Sequence, residues 1–210
     1  METECLFGEK CEILSYSGDW VFCKLIKDHY KGWIKRSSLG LEVYPSHKIN
    51  VKNSIIFDKP SVKAKPYAYL SFGSELEITL TEENWSKVRF SKGCKYFYKY
   101  IPTNHLVHID YMEEDWVKIA EKFLYTPYKW GGKSFLGIDC SALCQLAILS
   151  KHQKAFRNSS QQEKQLGKLI YNMHNRSKLE DLERGDLVFW EGHVGIMINA
   201  KEIIHATPTK

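Results

Sequence analysis

Residues 137–149 read Gly137-Ile138-Asp139-Cys140-Ser141-Ala142-Leu143-Cys144-Gln145-Leu146-Ala147-Ile148-Leu149. From Cys140 onward the segment is almost wholly apolar, the pattern of a helix that its fold buries. Cys140 falls in the first turn of that helix. Unpaired backbone N–H groups and the positive end of the helix dipole favour a thiolate there, which predicts a pKa below the free-thiol value of about 8.5. Asp139, one residue earlier, is placed to cap the same turn. Alone, such a cysteine reads as a small buried hydrophobe; its surroundings in sequence argue for more.

Upstream, Tyr128-Lys129-Trp130-Gly131-Gly132 leads into the segment through a loop, and the glycine pair permits close approach of backbone to a ligand. Downstream, residues 186–190, 193–198 and 202–207 read as short strands. A hairpin of the last two sets His193 and His205 side by side. A nucleophilic thiolate needs a histidine to carry protons, and that histidine needs a partner that fixes its tautomer. Trp116, Ile119, Ala120 and Phe123 recur at helical spacing before Pro127, and Ser159-Ser160-Gln161-Gln162 reads as a capping box for a third helix. Helices followed by a run of antiparallel-type strands argue α+β.

The first half is organised differently. Sliding the chain by 65 places Phe7-Gly8 on Phe72-Gly73, Cys11-Glu12-Ile13 on Leu76-Glu77-Ile78, and Trp20 on Trp85, one fixed offset that reads as two copies of one module. Each copy alternates in short strands, 11–14 then 20–23 and 76–80 then 85–90, broken at Ser17-Gly18-Asp19 and Glu82-Glu83-Asn84. Each is therefore expected to be a small β-barrel with hairpin turns. Trp20 and Trp85 are expected as core anchors; Tyr30 and Trp33 read either as packing residues or as the lining of a groove.

Composition narrows the function classes. No apolar stretch is long enough to span a bilayer, and Met1-Glu2-Thr3-Glu4-Cys5 lacks the basic start and apolar core of a secretory signal, which gives the expectation of a cytoplasmic protein. The net charge of +5 comes from lysines scattered among acids, a solvated surface rather than a nucleic-acid face. The six cysteines are dispersed and form no C-x-x-C pair, so free thiols are expected, with neither a metal site nor a cofactor.

Two resemblances sharpen this. Gly18-Asp19-Trp20-Val21 and Tyr30-Lys31-Gly32-Trp33-Ile34 resemble bacterial SH3 (SH3b) domains, in which a tryptophan ends a turn and a Gly-Trp closes a later strand. The second copy keeps Asn84-Trp85 but has Tyr96-Phe97-Tyr98 where the Gly-Trp would stand. Residues 110–207 resemble the NlpC/P60 family of cell-wall cysteine peptidases. The matching pieces are Tyr128-x-Trp130-Gly131-Gly132, Asp139-Cys140-Ser141, Arg157-Asn158-Ser159-Ser160-x-Gln162, Arg184-Gly185-Asp186-Leu187-Val188-Phe189, His193-Val194-Gly195-Ile196 and Ile204-His205-Ala206. Ala142 and Asn158 depart from the family's usual Gly and Asp, and only residues 206–210 follow His205, so the domain is expected to be short at its C-terminal end.

The resemblance implies an α+β protein with two small SH3-like β-barrels, residues 1–45 and 46–109, followed by a papain-like catalytic domain at 110–210. Carried over by position, Cys140 is the nucleophile, His193 the base, His205 its polar orienter, and Tyr128 a hydroxyl that holds the oxyanion beside the Cys140 backbone N–H. Asp139, Ser141 and Ser159 fall on substrate-binding positions, and Glu9 and Tyr30 of the first module are the candidates to meet a free α-amino group. The implied activity is that of a γ-D-glutamyl-L-diamino acid endopeptidase trimming murein tri- or tetrapeptides in cell-wall recycling, without nucleic-acid or membrane partners. The alternatives are an N-acetylmuramoyl-L-alanine amidase of the same fold and a catalytically inert murein-peptide-binding protein.

Overall fold

The computed structural model describes residues 2–92, 94–170 and 182–208. They form two compact units, one of residues 5–111 and one of residues 1–4 with 112–210. All six cysteines are free thiols, and no described helix is long and apolar enough to cross a membrane.

In the unit 5–111 the two stretches of the sequence repeat each fold into a hairpin, one in a three-stranded and the other in a seven-stranded sheet. β1 (Cys11–Ser17) and β2 (Trp20–Leu25) form an antiparallel hairpin, and β3 (Lys31–Lys35) pairs with β2. β4 (His47–Ile49), β5 (Asn53–Phe57), β6 (Pro66–Ser71), β7 (Glu75–Thr81), β8 (Trp85–Lys92), β9 (Lys95–Pro102) and β10 (Leu106–His108) form a seven-stranded sheet in the order β10-β4-β7-β8-β9-β5-β6. The β7–β8 hairpin repeats β1–β2 in detail: the register shifts between Ile13 and Ser15 in one and between Ile78 and Leu80 in the other. Ile49, Ile56, Leu76, Val88 and Ile101, all at 0% exposure, fill the core of the larger sheet. Each such side chain contributes about 1.5–3 kcal/mol on burial.

Trp20 corrects an expectation. Val21, Cys23 and Leu25 are the buried residues of β2, so strand alternation turns Trp20 to the other face, where it is 45% exposed. Trp33, against Phe22 with ring centroids 5.2 Å apart, is likewise exposed. Only Trp85 is partly covered, edge-on to Phe57 at 5.5 Å.

The second unit contains α1 (Val117–Lys122), β11 (Lys133–Ser134), β12 (Gly137–Ile138), α2 (Cys140–Leu149), α3 (Ser159–Gln165), and an antiparallel sheet of β13 (Leu187–Trp190), β14 (His193–Met197) and β15 (Ile203–Ile204). Every α2 residue from Cys140 to Ile148 is buried, and the helix packs on β14. Here too the details differ from the sequence reading. α1 begins after Trp116, and β15 is two residues rather than six. The β11–β12 pairing sits inside the stretch read as loop, because two-residue strands carry no periodicity. The capping box does not form. Asn158 occupies the N-cap position without a side-chain bond, and Gln162, which would have to reach back, turns inward to donate to Ser141 O at 2.9 Å and Phe156 O at 2.7 Å.

Candidate active site

Asp139 sets the start of α2. Its backbone is extended (φ −100°, ψ 172°), and its Oδ1 accepts from the Ala142 N–H at 2.8 Å, which starts the helix at Cys140. The same carboxylate accepts from the Gly131 N–H at 2.9 Å and the Ser141 hydroxyl at 3.2 Å. Arg157, 2% exposed, closes on it with two bonds, Nη1 to Oδ1 at 2.9 Å and Nη2 to Oδ2 at 2.7 Å. The sequence reading quoted Arg157 in a motif and gave it no role. The signal was there, an arginine beside the apolar Ala155-Phe156 pair, but its partner lies 18 residues away. Ser141 and Ser159 stand at the starts of α2 and α3, with the Ser141 hydroxyl accepting from Arg157 Nη1 at 2.9 Å.

The backbone N–H groups of Val194 and Ser141 act on the Cys140 sulfur, as does the N–H at its own position. These favour the thiolate, yet the pKa moves up from the ordinary thiol value, because burial outweighs them and the Asp139 charge adds to it. The magnitudes agree. A helix N-terminus supplies at most about 2 kcal/mol, or about 1.5 pKa units, whereas burial can move a group by about 3–5 units. The expectation of a depressed pKa is therefore overturned.

The two histidines meet as read. His193 Nε2 and His205 Nδ1 are 3.0 Å apart, with ring planes at 82°. Gly195 makes this possible: a Cβ there would lie 2.5 Å from Ile203 Cδ1 and 3.3 Å from His205 Cβ. Trp190, which sequence reasoning passed over, packs its ring 4.6 Å from His193 and 5.7 Å from His205. Burial, helped by His205, lowers the His193 pKa below the usual imidazole value. When His193 Nε2–H donates to His205 Nδ1, the Nδ1 of His193 is left as a bare acceptor. Cys140 raised and His193 lowered make a pair that is neutral at rest near neutral pH. Tyr128 is bridged to Ile138 and half-buried. Burial, then the nearby Cys140 and Asp139, push its phenol up, so the hydroxyl keeps its proton to donate. Glu9 and Tyr30 belong to the unit 5–111, where Glu9 accepts from the Leu6 N–H at 2.9 Å and the Tyr30 N–H donates to Asp28 at 3.0 Å.

Residues 125–210 match the NlpC/P60 family, and residues 1–39 match the bacterial dipeptidyl-peptidase Sh3 domain. Dipeptidyl-peptidase 6 of Lysinibacillus sphaericus is 26% identical over 97% of this chain and 79% of its own. A gamma-D-glutamyl-L-lysine dipeptidyl-peptidase of Bacillus subtilis (strain 168) is 26% identical over 100% of this chain and 73% of its own. In fold the chain is similar to the crystal structure of an NlpC/P60 family protein from Bacillus cereus ATCC 10987, with a TM-score of 0.79 at 22% identity, covering 97% of this chain and 72% of that one.

A buried, protonated thiol reacts slowly with alkylating agents. At pH 6 iodoacetamide should label Cys140 no faster than the exposed Cys5 and Cys94, with its rate climbing as pH rises. Peptide mapping of the alkylated chain reads this directly, and preferential labelling of Cys140 at pH 6 would show the thiolate to be preformed.

Proposed function

We propose that this chain, which carries an NlpC/P60 domain and a bacterial SH3 domain, is a cysteine peptidase that hydrolyses the bond between γ-D-Glu and the diamino acid of murein peptides with a free N-terminal L-Ala. The observation that carries the reading is the 3.0 Å His193–His205 pair, with His193 on the strand whose Val194 N–H acts on the Cys140 sulfur. The names of the relatives support the substrate. On this reading residues 1–45 and 46–109 are two SH3-like barrels, 110–210 is a papain-like catalytic domain, and the protein works in the cytoplasm on recycled wall peptides.

In the reaction, Cys140 passes its proton to His193 as its sulfur attacks the γ-carbonyl of D-Glu. The oxyanion takes hydrogen bonds from the Cys140 N–H and the Tyr128 hydroxyl. His193 returns the proton to the departing amine, and a thioester remains. Water, deprotonated by His193, attacks the thioester; the C–S bond breaks, the Cys140 sulfur takes the proton back from His193, and L-Ala-γ-D-Glu is released. Asp139, Ser141 and Ser159 line the acyl side, the first two held by Arg157. Glu9 and Tyr30 read the free amine.

Incubating the protein with L-Ala-γ-D-Glu-diaminopimelate and its lysine counterpart, followed by mass spectrometry, should show the dipeptide, with none from Cys140→Ala. Release of intact peptide from a muramoyl peptide would instead mark an amidase, and inertness toward both would mark a binding protein. Acetylating the L-Ala amine should lower kcat/KM by about 30-fold or more, because it removes the positive charge that Glu9 would meet; equal rates on the two substrates would remove the amine from the reading.

His193→Ala should abolish turnover, whereas His205→Asn should retain a substantial fraction, since an amide oxygen still accepts the proton that sets the tautomer. The acid limb of kcat/KM should have its midpoint below about 6.5, because a lowered imidazole pKa keeps the base free to lower pH. A midpoint above that value would assign the limb to another group.

A further inference from the structure

Thr3 and Glu4 bond to residues of the second unit, at Arg157, Lys129, Lys133 and Ser134. What they hold there is close to the nucleophile. A guanidinium has five N–H donors, and in Arg157 all are used. Nη1 donates to Asp139 Oδ1 and Ser141 Oγ, both at 2.9 Å, and Nη2 to Asp139 Oδ2 at 2.7 Å and Gly132 O at 3.3 Å. Nε donates to Thr3 Oγ1 at 2.8 Å, across 154 residues of sequence. Without Thr3 that N–H is left over on a side chain 2% exposed.

Glu4 acts on the neighbouring hairpin. Its Oε2 accepts from the Lys133 N–H at 2.8 Å and the Ser134 hydroxyl at 2.9 Å, and its Oε1 pairs with Lys129 Nζ. Lys133 and Ser134 are β11, paired in register with Ile138 and Gly137 of β12, the residues that run into Asp139 and Cys140. Lys129 follows Tyr128, and its N–H donates to Ile138 O at 3.2 Å. Tyr128 and Cys140 thus flank one short hairpin, Tyr128 bridged in parallel to its Ile138 and Cys140 two residues beyond it. Burial works against the Glu4 charge, but Lys129, the Lys133 N–H and Ser134 outweigh it and keep the carboxyl below its ordinary pKa.

We propose that Thr3 and Glu4 are positioning residues of the active site, a strap that fixes the hairpin joining Tyr128 to Cys140 and completes the cradle of Arg157 without touching substrate. Thr3 holds the guanidinium that aims Asp139, and Glu4 holds the strand that delivers it. Loss of either lets the oxyanion hydroxyl and the nucleophile drift relative to one another, a fault that shows in turnover more than in binding.

The test uses the full chain with Thr3→Val and Glu4→Ala, and Thr3→Ser and Glu4→Gln as conservative counterparts. Hydrogen exchange by mass spectrometry over residues 127–139 should be about tenfold faster or more in Thr3→Val and Glu4→Ala. On the murein tripeptide kcat should fall about tenfold or more with KM within about twofold. Thr3→Ser, which keeps the accepting oxygen, should match the wild type, and Glu4→Gln should lie between. Unchanged exchange in this segment, a loss carried by KM alone, or a Thr3→Ser as impaired as Thr3→Val would each overturn the proposal. Only the kinetic arm rests on the function proposed above. If no variant, nor the wild type, cleaves the tripeptide, that reading fails and the exchange arm still decides the strap.

Discussion

The buried pair of Asp139 and Arg157 is the constraint from which the second unit is built. Taking two charges to side-chain exposures of 9% and 2% costs several kcal/mol per ion. The attraction between them offsets this only when every remaining donor and acceptor is satisfied. That demand organises the surroundings: the Gly131 and Ala142 N–H groups, the Ser141 hydroxyl and the Gly132 carbonyl are all drawn to the pair. Removing one partner leaves an uncompensated buried charge, at about 3–5 kcal/mol. A pair of this kind is weak evidence for stability and good evidence for uniqueness, because a partly formed version is worse than none. The helix start, and with it the cysteine, has one place to be.

The same burial that makes the pair exacting reverses the expected chemistry of the thiol. Helix N–H groups pull toward the thiolate while the apolar surroundings and the Asp139 charge push the other way, and the push is larger. His193 is moved in the opposite sense by its own burial and by His205. On the proposed reaction, charge would be made at the moment it is used, by proton transfer between two neutral groups, with Tyr128 keeping its phenolic hydrogen.

How much of this was legible follows from the range over which each signal acts. The start of α2 at Cys140 is written in contiguous residues, an acid followed by an apolar run. The approach of His193 to His205 is written in strand alternation across one hairpin. Trp20 was misread because a two-residue period says that neighbours face opposite ways without saying which way is in. The capping box failed because Gln162 had better acceptors in Ser141 O and Phe156 O than the helix start offered. Arg157, Thr3 and Trp190 drew no prediction, since a side chain's role in a cradle depends on partners that meet only in the fold. The direction of the Cys140 shift lies beyond local sequence for the same reason: desolvation is a property of everything around the sulfur.

A sulfur that stays protonated at rest has a consequence for the lifetime of the protein. Peroxides attack thiolates, and the ladder from sulfenic to sulfinic and sulfonic acid begins only where thiolate and access coincide. At Cys140 neither is offered freely: the atom is held as a thiol and its residue is 7% exposed. Cys144, one turn further along α2, is more deeply buried still, and its pKa is raised beyond the range in which it would ionise. Access is instead open at the exposed Cys5 and Cys94, well removed in sequence from the helix that carries Cys140.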